Sequence, residues 1–308
     1  MTDDFSSLMT TLFAPNQQCI INADLDGILS GMILQKYLGW RIVGFSSCSG
    51  SPSDELWVMS PGVNLVKCVF VDLPVALKSV HTIDQHFVSY DSDSVNRYNC
   101  CGNKLNPNSM RGRCYINGDY CRKYPFGTVH FIIACLEHLG IINGNIIKNK
   151  TNGAYDSLDL LLRADGVIKN TYTYTPNCFD WCNWMMQLGG ETTSHIFSVA
   201  KNEYIERYNR IGSVEKDLSS LGCCRKDGDC SNLVRKNDIE RLQTYMHFLS
   251  QWFGMPEINV SKCSSVNLLT GKRLPISPHT PLETREKTVF SYAFVNANEV
   301  SITYRNNT

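Results

Sequence analysis

The feature that most constrains this chain is a set of short apolar runs that each stop at an acidic residue. QQCIINAD (17–24), VKCVFVD (66–72) and HTID (81–84) all follow this pattern. VKCVFV is a near-continuous β-branched run, as expected for a strand buried on both faces. After the first run comes GILSGMILQKYLG, whose Ile28, Met32, Ile33 and Leu38 recur at helical spacing. RIVGFSS (41–47) then reads as a second strand. The order strand, helix, strand, strand, strand implies an α/β fold with a mostly parallel sheet flanked by helices. In such open sheets, ligands bind beyond the C-terminal ends of the strands. Asp24, Asp72 and Asp84 all fall there.

The chain has 308 residues, enough for one large domain or two ordinary ones. Residues 97–124 lack periodicity and read as a long loop. GTVHFIIACLEHLG (127–140) is predicted to be a helix closed by Gly140. SLDLLLRADGVIKN (157–170) is predicted to be another, with Asp165 near its end. From Ile196 to Leu221 apolar residues keep a three-to-four spacing, which predicts one long helix over 192–222. NDIERLQTYMHFLSQWFG (237–254) is helical too, and KTVFSYAFVNANEVSITYR (287–305) reads as two strands around an Asn-Ala-Asn turn. The expected division is a domain over 1–190, a helical connector over 191–255 and a small β-containing domain over 256–308.

Composition narrows the function. Lys+Arg and Asp+Glu both number 29, so there is no global field to attract nucleic acid, and polyanion binding must come from local basic residues or bound cations. MTDDFSSLMTTLF has no basic n-region, and no stretch approaches 18 apolar residues. The expectation is a cytoplasmic protein with no membrane partner. Fourteen cysteines are then expected as reduced thiols, with Cys19, Cys68 and Cys135 as small buried hydrophobes. Neither Cys100, Cys101, Cys114 and Cys121 nor Cys223, Cys224 and Cys230 has C-x2-C spacing, so no structural zinc is expected.

NADLDG (22–27), VFVD (69–72), DQH (84–86) and LLRADG (161–166) resemble, in order and spacing, the four motifs of the DHH phosphoesterase superfamily. That group includes single-strand exonucleases, phosphodiesterases of short oligonucleotides and cyclic dinucleotides, and manganese-dependent pyrophosphatases. The resemblance covers roughly residues 15–190. It implies a Rossmann-like domain that hydrolyses phosphodiester bonds of short single-stranded nucleic acid or a nucleotide, using one or two Mg²⁺ or Mn²⁺ ions. The chemistry suits the residue types, because two divalent ions about 3.5–4 Å apart both activate water and neutralise phosphate oxygens. By resemblance Asp24 binds one ion, Asp26 the other, Asp72 bridges them and Asp165 completes the second. Asp84 orients its neighbours, and His86 meets the phosphate or assists proton transfer.

Two positions depart from the family pattern. Asn22 stands where an Asp or His is usual, and Gln85 stands where the first His of the family's name would be. Each still offers an amide oxygen as a ligand, and oxygen-only ligation favours Mg²⁺. VSITYR (300–305) resembles the S-x-R-S strand of the family's small substrate-binding domain, but no GGGH loop follows it. Arg111, Arg113, Arg122 and Lys123 form the best local basic cluster for phosphate, and Arg305 is a further candidate. His279, in SPHTP, reads as a turn residue; Trp181 and Trp184 read as core. Two alternatives stay open: a catalytically degenerate relative that binds a nucleotide, a nucleic acid or a partner, and a small phosphoanhydride hydrolase.

Overall fold

The structure is a computed structural model that describes residues 3–47, 54–77, 79–224, 228–276, 289–294 and 298–305. It divides into two compact units. One contains Met1–Asn22, Arg41–Lys123 and Cys263–Thr308, and the other Ala23–Trp40 and Tyr124–Lys262. The class is α/β.

The first unit carries the strands: β1 (Gln18–Asn22), β2 (Arg41–Ser46), β3 (Glu55–Val58), β4 (Val69–Val71), β5 (His81–Ile83), β6 (Lys104–Leu105), β7 (Ser264–Pro275), β8 (Val289–Phe294) and β9 (Glu299–Arg305). Its helices are α1 (Asp3–Leu12), α3 (Ser92–Asn99) and α4 (Pro107–Met110). The order is β6-β5-β4-β1-β2-β3-β7, with β6 to β2 parallel and β3 and β7 antiparallel. The far half of β7 forms a smaller antiparallel sheet in the order β7-β9-β8. Cys19, Ile20 and Ile21 of β1 are all fully buried, so the strand is covered on both faces, as its unbroken apolar run implies. Beneath the sheet a core gathers around Ile20, Val43, Leu56, Phe70 and Leu269. Strand β4 is shorter than VKCVFVD suggests. Leu65–Lys67 forms a 3-10 turn, and the Asn64 side chain accepts a hydrogen bond from the Val66 amide at 3.2 Å. That local bond competes with the sheet for the backbone. Strands β3, β6 and β7 were not expected from the sequence.

The second unit is helical: α2 (Leu25–Leu38), α5 (Thr128–His138), α6 (Ser157–Leu161), α7 (Val167–Thr173), α8 (Thr175–Leu188), α9 (Glu191–Asn202), α10 (Tyr204–Tyr208), α11 (Ile211–Ser220), α12 (Ser231–Arg235) and α13 (Ile239–Phe253). Helix α5 ends at Gly140 with φ 69°, the left-handed residue the sequence predicts. Trp181 is fully buried, edge-on to Tyr124. Two expectations fail here. Residues 157–170 are not one helix, because Asp165 (φ 49°) and Gly166 (φ 65°) are both left-handed and turn the chain between α6 and α7. The stretch 192–222 is three helices, α9 to α11. Glu203 leaves helical geometry (φ −118°, ψ 7°), and buried Arg207 reaches Asp156 at 3.0 Å and Asp159 at 2.8 Å. A buried cation must be paired, and that demand overrides a continuous apolar period.

Among the described residues no helix is long and apolar enough to cross a membrane.

Candidate functional site

The parallel register builds a row of polar residues. Ile21 pairs with Val71, Val71 with Ile83, and Ile83 with Leu105. The residues that follow, Asn22, Asp72, Asp84 and Asn106, therefore stand level at the C-terminal edge of four adjacent strands. The Asp72 amide donates to the Ile83 carbonyl at 2.9 Å, and the Asp84 amide to the Leu105 carbonyl at 3.1 Å, so the ladder fixes both acids. Asp72 holds a left-handed backbone (φ 60°), which an Asp tolerates better than most residues.

The side chains connect along this row. The Asn22 amide Nδ2 donates to Asp72 Oδ2 at 3.3 Å. His86 Nδ1 lies 2.8 Å from Asp84 Oδ1 and 3.5 Å from Asp72 Oδ1. Asp84 Oδ2 accepts from the Phe87 amide at 2.9 Å, which closes the tight turn through Gln85 and His86. Asp72 and Asp84 are fully buried, Gln85 is buried, and the His86 side chain is 31% exposed. A carboxylate oxygen accepts, so Nδ1 is the donor in the contact with Asp84.

The turn has supports that the sequence did not single out. Asn106 caps α4 and donates from Nδ2 to the Phe87 carbonyl at 3.1 Å. Asn108 Nδ2 donates to the Gln85 carbonyl at 2.8 Å. The usable signal was Asn-Pro-Asn-Ser itself, an N-cap followed by proline at the first helical position. Buried Lys104 donates from Nζ to the carbonyls of Val75, Leu77 and Val80 at 2.9, 2.7 and 2.9 Å, tying down the segment after Asp72. Burial pushes its pKa down to about 7, against the opposing pull of Asp84 and Cys101.

Of the expected phosphate ligands in this unit, Arg111 and Arg113 lie half-buried in the turn that ends α4, where the Arg113 amide donates to the Asn108 carbonyl at 2.9 Å. Arg122 is exposed and Lys123 half-buried, at the end of the same segment. The Arg305 side chain and all of His279 lie outside the described residues.

The helical unit holds the other expected ligands. Asp24 caps α2 and accepts from the Gly27 amide at 2.9 Å. Asp26 is buried and caps α5 from a distance, accepting from the amides of Thr128 at 2.7 Å and Val129 at 2.8 Å. The negative carboxylate also meets the positive end of the α5 dipole there. Gly127 makes the approach possible, since a Cβ at that position would sit 2.8 Å from both Asp26 oxygens. Burial pushes the Tyr124 phenol well above its usual range, and the charges of Asp26 and, more weakly, Asp165 push it further. Asp26 and Asp165 thus act on one buried ring. Asp165 is half-buried and lines a pocket of about 210 Å³ with Arg163, Lys169, Asn170, Ile211 and Glu215.

Compared with known proteins, the chain matches no family model, no curated protein and no solved structure.

Proposed function

We propose that this chain is a metal-dependent phosphoesterase that hydrolyses phosphodiester bonds of short single-stranded nucleic acid or a nucleotide. The observation that carries the reading is the linked row Asn22–Asp72–His86–Asp84 at the C-terminal edge of the parallel strands, where α/β sheets bind ligands. The donor set fits a hard divalent ion. Asp72 and Asp84 place two carboxylates in a buried position with one imidazole between them. Buried carboxylates need a compensating charge, and oxygen donors with one imidazole suit Mg²⁺ or Mn²⁺. Asp72 is the residue to hold the ion in the sheet unit, and the resemblance adds Asp24, Asp26 and Asp165. When bound, the ion supplies an activated water and neutralises phosphate oxygens.

The chain's own residues do the rest. Asp84 orients the His86 ring, and the ring is the group to accept a proton from water or return one to the leaving oxygen. Arg111 and Arg113 supply positive charge on the segment that also anchors the Gln85–Phe87 turn. A second reading has its own observation. Asn22 meets Asp72 with an N–H donor, so the amide opposes this carboxylate with a hydrogen-bond donor where the family pattern expects a ligand. This favours a non-catalytic module that binds a nucleotide or oligonucleotide.

The deciding measurement is hydrolysis of short oligonucleotides, dinucleotides and pyrophosphate with Mg²⁺ or Mn²⁺, on wild type and on Gln85→His. Metal-dependent turnover on the first two substrates supports the proposal, and turnover on pyrophosphate alone points to a phosphoanhydride hydrolase. Inert wild type that Gln85→His does not rescue leaves the binding module.

A further inference from the structure

The chain that leaves Asp72 has a backbone that the sheets satisfy on one side only. The Tyr292 amide of β8 donates to the Pro74 carbonyl at 3.2 Å, and the Ala76 amide donates to the Phe290 carbonyl at 2.8 Å. Val75, between them, bridges Ser291 and turns its carbonyl the other way, as alternation along an extended backbone requires. That carbonyl and those of Leu77 and Val80 converge on Lys104 Nζ at 2.9, 2.7 and 2.9 Å, with Thr82 Oγ1 at 3.1 Å. Lys104 is 2% exposed, and all four of these acceptors are neutral.

Lysine is rarely buried so deeply without an acid to pair it. An ammonium suits this place because it projects three donors from one atom, which the flat fork of an arginine cannot do. An apolar side chain would avoid the buried charge and leave the three carbonyls without a donor. Local rules are broken in this way at functional positions. The backbone of Lys104 belongs to the other half of the polar row. It pairs with Thr82 on β6, and the next residue, Leu105, accepts from the Asp84 amide at 3.1 Å. Asn106 then holds the Phe87 carbonyl at the His86 turn. One residue thus joins the chain behind Asp72, by its side chain, to the strand that fixes Asp84 and His86, by its backbone. Across that joint His86 Nδ1 lies 3.5 Å from Asp72 Oδ1.

We infer that Lys104 is a positioning residue, whose ammonium clamps the chain behind Asp72 to β6 and so sets Asp72 against His86. Its effect on turnover rests on the phosphoesterase reading; its hold on Asp72 does not.

The test uses the full chain with Lys104→Ala. Propylammonium replaces the deleted atoms, and propanol replaces their length with one donor and no charge. Without metal or substrate, the Asp72 amide should exchange with deuterium about tenfold faster in the variant than in wild type, as read by NMR. Propylammonium should restore the protection, and propanol should not. With Mg²⁺ or Mn²⁺, kcat on a dinucleotide should fall about tenfold at unchanged KM. In an Asp72→Asn background the same substitution should cost nothing more, because its effect passes through that carboxylate. A merely structural lysine would cost the same in both backgrounds. Circular dichroism checks the fold, and Lys104→Met, which keeps the length and drops the donors, takes over the exchange measurement if the alanine variant unfolds. Unchanged protection of the Asp72 amide in either folded variant overturns the clamp. So does restoration by propanol, no restoration by propylammonium, or an equal loss of kcat in the Asp72→Asn background. Wild type inert on every substrate, with Asp72 exchange that follows the amine, removes the phosphoesterase and keeps the clamp. Metal-dependent turnover with Asp72 exchange indifferent to Lys104 does the reverse.

Discussion

Asp72 in the sheet unit and Asp165 in the helical unit use the same unusual backbone, left-handed at φ 60° and φ 49°. The reasons differ. Asp72 follows a buried strand, and its amide is locked to Ile83 by the ladder, so the sheet dictates its conformation. Asp165 interrupts what the sequence writes as a helix, and only the turn with Gly166 explains it. Asp72 is fully buried, and Asp165 is half-buried at the lip of a pocket. A strand end presents an acid rigidly because its neighbours hold it. A helix break presents one with more freedom.

The largest expected effect tests that difference in function. Asp72→Asn keeps the shape and removes the charge from the rigid position, so hydrolysis should fall by about 10³-fold, or ~4 kcal/mol of barrier. Asp165→Asn should cost only about 10–100-fold, since water can replace a half-exposed oxygen. Steady-state kinetics on variants with wild-type circular dichroism decide the point. Equal losses would mean that the two acids are held equally firmly.

Each unit also buries a base, and pH separates them. Burial pushes His130 of α5 down to about 4. Its folded pKa lies below the unfolded value of about 6.5, so between pH 4 and 6.5 the unfolded chain binds more protons and stability rises with pH. Acidification through that window should cost about 3 kcal/mol, and His130→Asn should flatten the slope. Lys104 of the sheet unit works in another window. Its folded pKa of about 7 also lies below the unfolded one, so stability should rise from pH 7 towards about 10, by at most ~1.4 kcal/mol per pH unit. Lys104→Met should remove that slope. Urea midpoints at pH 4.5, 6.5 and 9 measure both, and an acid slope that survives in His130→Asn would show that another group carries it.

The Asp26 tether gives the next effect. Gly127→Ala places a methyl 2.8 Å from both oxygens of Asp26 and must displace the carboxylate or α5. A loss of about 2 kcal/mol is expected in urea unfolding. Much of it should return in the Gly127→Ala/Asp26→Ala double variant, which removes the clash. Full additivity would deny the contact.

The same contrast explains what the sequence could reveal. Asp72 and Asp84 were legible because an apolar run that stops at an acid is a local pattern, and parallel strands carry that pattern to one edge. Strand β6 was not legible: two residues have no period, and only their pairing with Thr82 and Ile83 makes Lys104–Leu105 a strand. Asn106 and Asn108 were hidden in a loop that looked patternless, although Asn106-Pro107 was a capping signal. The division of 192–222 into three helices depends on Arg207 reaching Asp156 and Asp159, about fifty residues earlier in the chain. A helical period cannot encode a partner so distant. Asp26 was read as a metal ligand, and its hold on α5 depends on Thr128 and Val129, again about a hundred residues away.

The smallest effect is the sharpest on whether Asp165 breaks a helix. In a continuous helix over 157–170, glycine at 165 would be less stable than alanine by about 1 kcal/mol, because glycine has more backbone entropy to lose. At a left-handed residue the order inverts, since alanine suffers the Cβ clash of roughly 1–2 kcal/mol that glycine avoids. Asp165→Gly should therefore be more stable than Asp165→Ala by about 1 kcal/mol. Asp72→Gly should likewise exceed Asp72→Ala, because φ 60° imposes the same clash. Comparing glycine with alanine at one position cancels the loss of the carboxylate, which both variants share. Unfolding midpoints of the four variants suffice. If alanine is the better residue at 165 while glycine is better at 72, the left-handed backbone belongs to the strand end alone, and the chain from 157 to 170 runs as the helix its apolar spacing describes.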